Sequence, residues 1–264
     1  MIDTHCHLDA AEFDVDREAV ATRACAAGVT TIVVPAVERA NFGAVASICR
    51  EYPECRPAYG IHPMYVGRAR AEDLDVLREM LKREPAVAVG EIGLDFLVEP
   101  RDERSQQSQW WWYAEQLKLA RECDLPVLLH VRRAVDAILK GLREIRVPGG
   151  IAHAFNGSRQ QADAFIKLGF KLGFGGAMTH PRATRLRELA ATLPLDTIVL
   201  ETDAPDIPPE WLARDDSKQR NEPAELPRIA AVLADLRGMA VDAIVAATTA
   251  NARGVLPQLT FTRY

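Results

Sequence analysis

Eight short runs of branched apolar residues recur along the chain, and each is followed by a stretch with helical periodicity. The runs fall at about residues 2–5, 30–34, 56–60, 86–89, 127–130, 149–153, 170–174 and 197–201. Several, such as T-T-I-V-V at 30–34 and T-I-V-L-E at 197–201, are almost continuously apolar. A strand of that kind is buried on both faces, which is the condition of a parallel sheet covered by helices. The helical stretches are expected at about 15–28, 39–51, 71–83, 103–123, 134–144, 158–169 and 183–192, with helix again after 223. Ser158 followed by Gln161 is a capping box, and Gly169 ends the helix that it opens. Eight such units in about 250 residues predict a closed (β/α)8 TIM barrel. The 264 residues are accordingly read as a single α/β domain, 1–264. An open doubly wound sheet would carry a glycine-rich phosphate loop after its first strand. Thr4-His5-Cys6-His7 stands there instead.

The barrel reading places the polar residues. His5 and His7 end the first strand, and residues two apart on a strand project from one face. Alone, such a pair equally fits two solvated or hydrogen-bonded histidines. His62 ends the third strand, Glu91 the fourth, His130 the fifth, His153 the sixth, and Asp203 the eighth. In a barrel these ends share the face where active sites form. The chain has six histidines and five fall on this rim; His180 lies outside it. Four imidazoles (His5, His7, His130, His153) with Glu91 and Asp203 exceed the needs of one tetrahedral zinc. They suit two divalent ions, Mg, Mn or Zn, with Glu91 bridging and metal-activated water as nucleophile. Asp203 can hold one ion and accept the proton of that water. Glu201, two residues earlier on the same face, is its rival.

The remaining features exclude more than they assign. The net charge of −5 argues against a broad basic surface for nucleic acid, though not against a locally positive cleft. Five cysteines with no C-x-x-C pair indicate reduced thiols, and Cys6 should pack on the face opposite the two histidines. No stretch approaches the length of a membrane span. A cytoplasmic enzyme with no membrane contact and no obligate protein partner is expected. Trp110, Trp111 and Trp112 sit on the fourth predicted helix, where Tyr113, Leu117 and Ala120 form a packing stripe, so packing rather than base stacking is expected of them. Asn156 can bind substrate or cap the next helix, and the cap is the expected use. The segment 203–222, charged and proline-containing, should be a loop over the active face.

The motifs D-T-H-C-H-L-D (3–9), Y-G-I-H-P (59–63), G-E-I-G-L-D-F (90–96), Q-W-W-W-Y-A-E-Q-L-K-L-A (109–120), L-L-H-V-R-R-A (128–134), A-H-A-F-N-G-S (152–158), L-E-T-D-A-P (200–205) and R-N-E-P (220–223) run through almost the whole chain. Together they resemble the TatD family of metal-dependent hydrolases, within the amidohydrolase superfamily. The R-R-A and R-N-E-P variants are most similar to its YjjV branch. The resemblance implies one ion on His5, His7, Glu91 and Asp203, and a second on Glu91, His130 and His153. It implies phosphodiester hydrolysis, as a 3′ to 5′ deoxyribonuclease with DNA as substrate. It also implies that His62 contacts a substrate phosphate. Arg132 and Arg133 are candidate phosphate contacts through their guanidinium groups. No lysine lies in 86–101, so the carboxylated lysine of many C–N-cleaving relatives has no counterpart. The stretch 249–254 departs from the family form without touching a ligand. Hydrolysis of a small ester, lactone or amide at the same site is the alternative. A non-catalytic relative should have lost ligands, and all six are present.

Overall fold

The strands form where the apolar runs lie. They are β1 (Ile2–Asp3), β2 (Thr31–Pro35), β3 (Cys55–Ala58), β4 (Val89–Asp95), β5 (Val127–Arg132), β6 (Gly150–Ala152), β7 (Phe170–Phe174) and β8 (Ile198–Leu200). A computed structural model describes residues 1–213 and 220–260, so part of the expected 203–222 loop, at 214–219, lies outside the described residues. Every strand pairing is parallel, in the orders β1-β2-β3 and β4-β5-β6-β7-β8. Backbone hydrogen bonds span both gaps between these sets. Val87 N–H donates to Pro57 C=O at 2.9 Å, and Gly90 N–H to Tyr59 C=O at 2.9 Å. Across the other gap Thr4 N–H donates to Leu200 C=O at 3.1 Å, and Asp203 N–H to His5 C=O at 2.8 Å. The eight strands therefore close into the expected barrel.

Helices α1 (Arg17–Ala26), α2 (Phe42–Glu51), α3 (Asp73–Arg83), α4 (Glu103–Glu122), α5 (Val135–Glu144), α6 (Arg159–Lys167) and α7 (Thr184–Thr192) return the chain between strands. The short α8 (Glu210–Ala213), then α9 (Leu226–Arg237) and α10 (Val241–Val255), follow β8. Strand alternation separates two cores. Ile32, Val34, Val127, Leu129, Ile198 and Leu200 pack outward under the helices. Val33, Leu128, Ile151 and Val199 fill the barrel interior with Ile2 and Ala58, and Val255 and Leu256 at the end of α10 pack against them. One period further along the inward face come His130, His153 and Glu201, which is why these side chains point into the ring. No helix among the described residues is long and apolar enough to cross a membrane.

One strand differs from expectation. β4 was expected at 86–89, with G-E-I-G-L-D beyond its end; it runs through that motif to Asp95. The glycines there serve close approach rather than a loop. A Cβ at Gly93 (φ +147°) would lie 2.0 Å from His130 O, and one at Gly90 would lie 2.6 Å from Leu128 Cβ. The register against β5 shifts between Val89 and Ile92, and a shift of this kind re-aims the side chain within it, here Glu91.

Candidate metal centre

The six expected ligands meet at one mouth of the barrel. Nε2 of His5 lies 3.3 Å from Nε2 of His7 and 3.3 Å from Glu91 Oε2. His7 Nε2 is 3.6 Å from the same oxygen. Asp203 Oδ1 stands 3.8 Å from Nε2 of each of His5, His7 and His153. Four donors around an ion at about 2.0–2.1 Å are about 3.3–3.4 Å apart when tetrahedral. The observed separations therefore suit an ion with little side-chain movement. The other carboxylate oxygen, Glu91 Oε1, faces His130 Nδ1 at 3.0 Å, His62 Nε2 at 3.6 Å and His153 Nε2 at 3.7 Å. Glu91 thus divides two sets of imidazoles, one per oxygen, and is itself buried.

Behind the ligand atoms stand two further carboxylates. His130 turns its Nε2 to Asp95 Oδ2 at 3.1 Å. His153 turns its Nδ1 to Glu201 Oε1 at 3.2 Å in an ion-pair contact, and that oxygen accepts Ala154 N–H at 2.5 Å. A carboxylate on the far nitrogen of a metal-binding imidazole fixes the ring and its tautomer. Glu201 therefore stands behind His153, and it is Asp203 that faces the cleft. Sequence reasoning gave Asp95 no role. The signal was available, because Glu91 and Asp95 are four apart on one strand and share a face.

His62 stands within ligand distance of Glu91 and His130, a third candidate metal-binding group, but its hydrogen bonding argues against a ligand role. Its Nδ1 accepts the N–H of Met64 at 3.1 Å. A neutral imidazole with Nδ1 as acceptor carries its hydrogen on Nε2. The nitrogen facing Glu91 is therefore a donor. Burial, above the opposing pull of Glu91, lowers its pKa to about 3 and keeps the ring neutral. Burial likewise lowers His5 to about 3. His153 stacks on His5 with centroids 3.8 Å apart and behaves oppositely. Burial works against its charge, but Asp203, Glu201 and Glu91 outweigh burial and lift it to about 10. Burial raises Asp203 to about 6 against the pull of His153 and His7. Glu91 stays well below the carboxylate range, because His62 and His5 and the bond from His130 overcome its burial.

The cluster floors an open cleft of about 1520 Å³. Arg132 and Arg133 line its wall, both exposed, and Arg132 Nη1 is 3.7 Å from Asp95 Oδ2. Arg185 on α7 lines it too and was not foreseen. It donates to Asn156 Oδ1 at 3.0 Å. Asn156 is therefore not the helix cap. Ser158 has that role, accepting Gln161 N–H at 3.2 Å while Gln161 Oε1 accepts Ser158 N–H at 2.9 Å. Of the tryptophans, Trp112 is buried, Trp110 is half-buried and Trp111 is 44% exposed, so the run serves mainly packing. His180 contacts Pro208 C=O away from the cluster, and Cys6 is fully buried in the core.

The model of the family described as "TatD related DNase" matches residues 2–257. The chain belongs to the TatD family. It is 44% identical over 254 residues to YjjV of Escherichia coli K12, named an uncharacterized metal-dependent hydrolase, with 95% of each chain covered. It is 31% identical over 256 residues to a protein of Escherichia fergusonii named 3′-5′ ssDNA/RNA exonuclease TatD, covering 96% of this chain and 97% of that one. The crystal structure of E. coli YjjV superposes with a TM-score of 0.90 at 41% identity, covering 97% of this chain and 98% of that one. The family resemblance read from the motifs, including its YjjV branch, and the barrel fold agree with these matches.

Proposed function

We propose that this TatD-family chain is a divalent-metal-dependent phosphodiesterase that releases nucleotides from the 3′ end of single-stranded DNA. The observation that carries the reading is the division of Glu91, with His5 and His7 at one oxygen and His130 and His153 at the other. In this reading His5, His7, Glu91 and Asp203 hold one ion, and Glu91, His130 and His153 hold the second. Two divalent ions there would polarise a phosphoryl oxygen and acidify water at the site. Asp203, facing the cleft with its proton affinity raised to about 6, is the group placed to accept that proton. His62 offers its Nε2 hydrogen to a phosphoryl oxygen. Arg132, Arg133 and Arg185 offer guanidinium groups to flanking phosphates.

Two features support a polymer end as substrate. The cleft exceeds the roughly 300–1,000 Å³ of small-molecule pockets. Its charge is also uneven: Arg132 ends β5, Arg133 follows it and Arg185 follows β7, with Asp136 the one carboxylate among them, whereas Asp9, Glu12 and Asp206 line the side built from β1 and β8. A phosphate backbone is favoured on one side and opposed on the other, as suits a strand that ends at the site. The whole chain works in this reading as one domain, in the cytoplasm, with no obligate protein partner. Hydrolysis of a small ester, lactone or amide is the second reading, favoured by the net charge of −5.

The test is turnover of the purified, chelator-treated chain with Mg²⁺, Mn²⁺ or Zn²⁺ on linear and circular single-stranded DNA, carboxylic esters, lactones and amides. The expected result is metal-restored release of 3′ nucleotides from linear DNA only. His62→Gln should keep both ions and lose most turnover. Activity on esters or amides without any on DNA would replace the first reading by the second.

A further inference from the structure

Helix α4 carries the tryptophan run, and the reaction leaves its two buried glutamines unused. Gln109 and Gln116 stand seven residues apart on one face of the helix and are 1% and 0% exposed. A buried amide is costly unless it is hydrogen-bonded. Each of these finds the same kind of partner, both backbone groups of a single rim residue. Gln109 Oε1 accepts Asp95 N–H at 2.8 Å, and its Nε2 donates to Asp95 C=O at 2.9 Å. Gln116 Oε1 accepts Ile61 N–H at 2.6 Å, and its Nε2 donates to Ile61 C=O at 3.0 Å. The two side chains act as short strands added where β4 ends and just beyond the end of β3. The helix is itself fixed from behind, since Tyr113 O–H donates to Ile138 C=O of α5 at 3.0 Å.

The gripped residues are the ones that place the imidazoles. Asp95 holds His130 Nε2, and His130 Nδ1 faces Glu91. Ile61 immediately precedes His62, whose Nε2 faces the same Glu91 oxygen. We propose that Gln109 and Gln116 are positioning residues of the metal centre. Through the backbones of Asp95 and Ile61 they set where His130 and His62 stand against Glu91. Leucine at either place would fill the helix face and withdraw those paired bonds. An amide-bearing helix behind the barrel thus adjusts one ion site, the one that includes His130, and leaves the His5–His7 site alone.

The proposal rests on the two-ion reading above, and the experiment separates the two. The full metal-free chain is titrated with Zn²⁺ and with Mn²⁺, and both site affinities and the metal-free Tm are recorded. Gln109→Leu should weaken the ion bound by His130 about 10–100-fold, as loss of a supporting partner does. The other ion should change by less than about threefold. Asp95→Asn should weaken the same ion. If Gln109 acts through Asp95, adding Gln109→Leu to Asp95→Asn should cost far less than it does alone. Gln116→Leu should keep both ions and lower kcat/KM, because His62 acts on substrate. A lowered Tm with both affinities unchanged in Gln109→Leu, an unchanged kcat/KM in Gln116→Leu, or losses that multiply in the double variant, overturns the proposal. Should Gln109→Leu not fold, Gln109→Glu, which keeps the acceptor and loses the donor, is read in the same way. A wild-type chain that binds no ion overturns the two-ion reading and the proposal together.

Discussion

Gly173→Ala tests the supporting shell from a position that touches no ligand. Gly173 lies on β7, and a Cβ there would sit 2.1 Å from Glu201 Oε2, 2.5 Å from Cδ and 2.7 Å from Oε1. Contact distances demand a retreat of about 1 Å by the carboxylate. The Glu201 side chain is buried, but its Oε2 has no hydrogen-bond partner, and a cavity of about 130 Å³ lined by Gly173, Phe174 and Glu201 adjoins it. The carboxylate therefore has somewhere to go, and the variant should fold at a cost of about 1–3 kcal/mol. Retreat takes Oε1 from 3.2 Å to beyond about 4 Å from His153 Nδ1, outside ion-pair contact. The imidazole is then free to turn, and affinity for the ion it binds should fall about 10–100-fold. Competition with a chromophoric chelator reads that affinity, and a metal-free Tm reads the packing cost. Gly43→Ala on α2, where a Cβ meets nothing within 4 Å, is the control and should alter neither binding constant. Wild-type affinity for both ions in Gly173→Ala would refute the idea that Glu201 positions His153.

Two further outcomes follow from the site. Asp203→Asn keeps the shape and one oxygen but loses charge and proton acceptor, so kcat should fall about 10²–10⁴-fold with KM changed much less, in a folded protein that retains the ion at Glu91, His130 and His153; near-wild-type kcat would remove Asp203 from the mechanism. Metal affinity should depend on pH with a sign fixed by the protons the ions displace: the ion at Glu91, His130 and His153 must displace the proton that His153 holds below about 10, and His130 also has raised proton affinity, so its log affinity should rise by at least about one unit per pH unit from pH 6 to 8, while affinity for the ion at Asp203 should fall more steeply below about 6, where Asp203 is protonated; affinity of the His153 ion independent of pH over 6–8 would contradict it.

The fold was legible because eight apolar runs alternating with helical stretches, with no phosphate loop after the first, favour a closed barrel over an open sheet, and the meeting of the candidate ligands because strand ends in a barrel share one face. What sequence reading missed has physical causes. Gly90 and Gly93 looked like a loop, yet they are glycine because neighbouring backbone and side chains leave no room for a Cβ, and so β4 was ended before Asp95. Asn156 looked like a cap because it precedes a helix, but Ser158 already satisfies that end, which frees Asn156 for Arg185. Arg185 comes from a helix remote in sequence, and no periodicity predicts a contact of that kind. The role of Gln109 was hidden for a similar reason. On the helix it reads as one more polar residue, and only the tertiary structure brings its amide to the backbone of Asp95.

An acidic chain proposed to act on a polyanion needs local compensation, and the site contains the means for it. Asp203, Glu91, Asp95 and Glu201 surround four imidazoles, and His153 and His130 among them have raised proton affinity. Two divalent ions would bring four positive charges against the four carboxylates, cancelling the negative charge of the cleft floor where the proposed phosphodiester would sit. The same donors narrow the choice of ion. Mg²⁺ prefers oxygen ligands and retained waters, whereas imidazole suits zinc and other transition metals. In the proposed reading the four candidate histidine ligands would favour Mn²⁺ or Zn²⁺ at low concentration, with Mg²⁺ expected to act only in excess. Electrostatic attraction then resides in the ions and in Arg132, Arg133 and Arg185, and not in the surface as a whole. The net charge of −5 and a phosphodiester substrate are compatible for that reason.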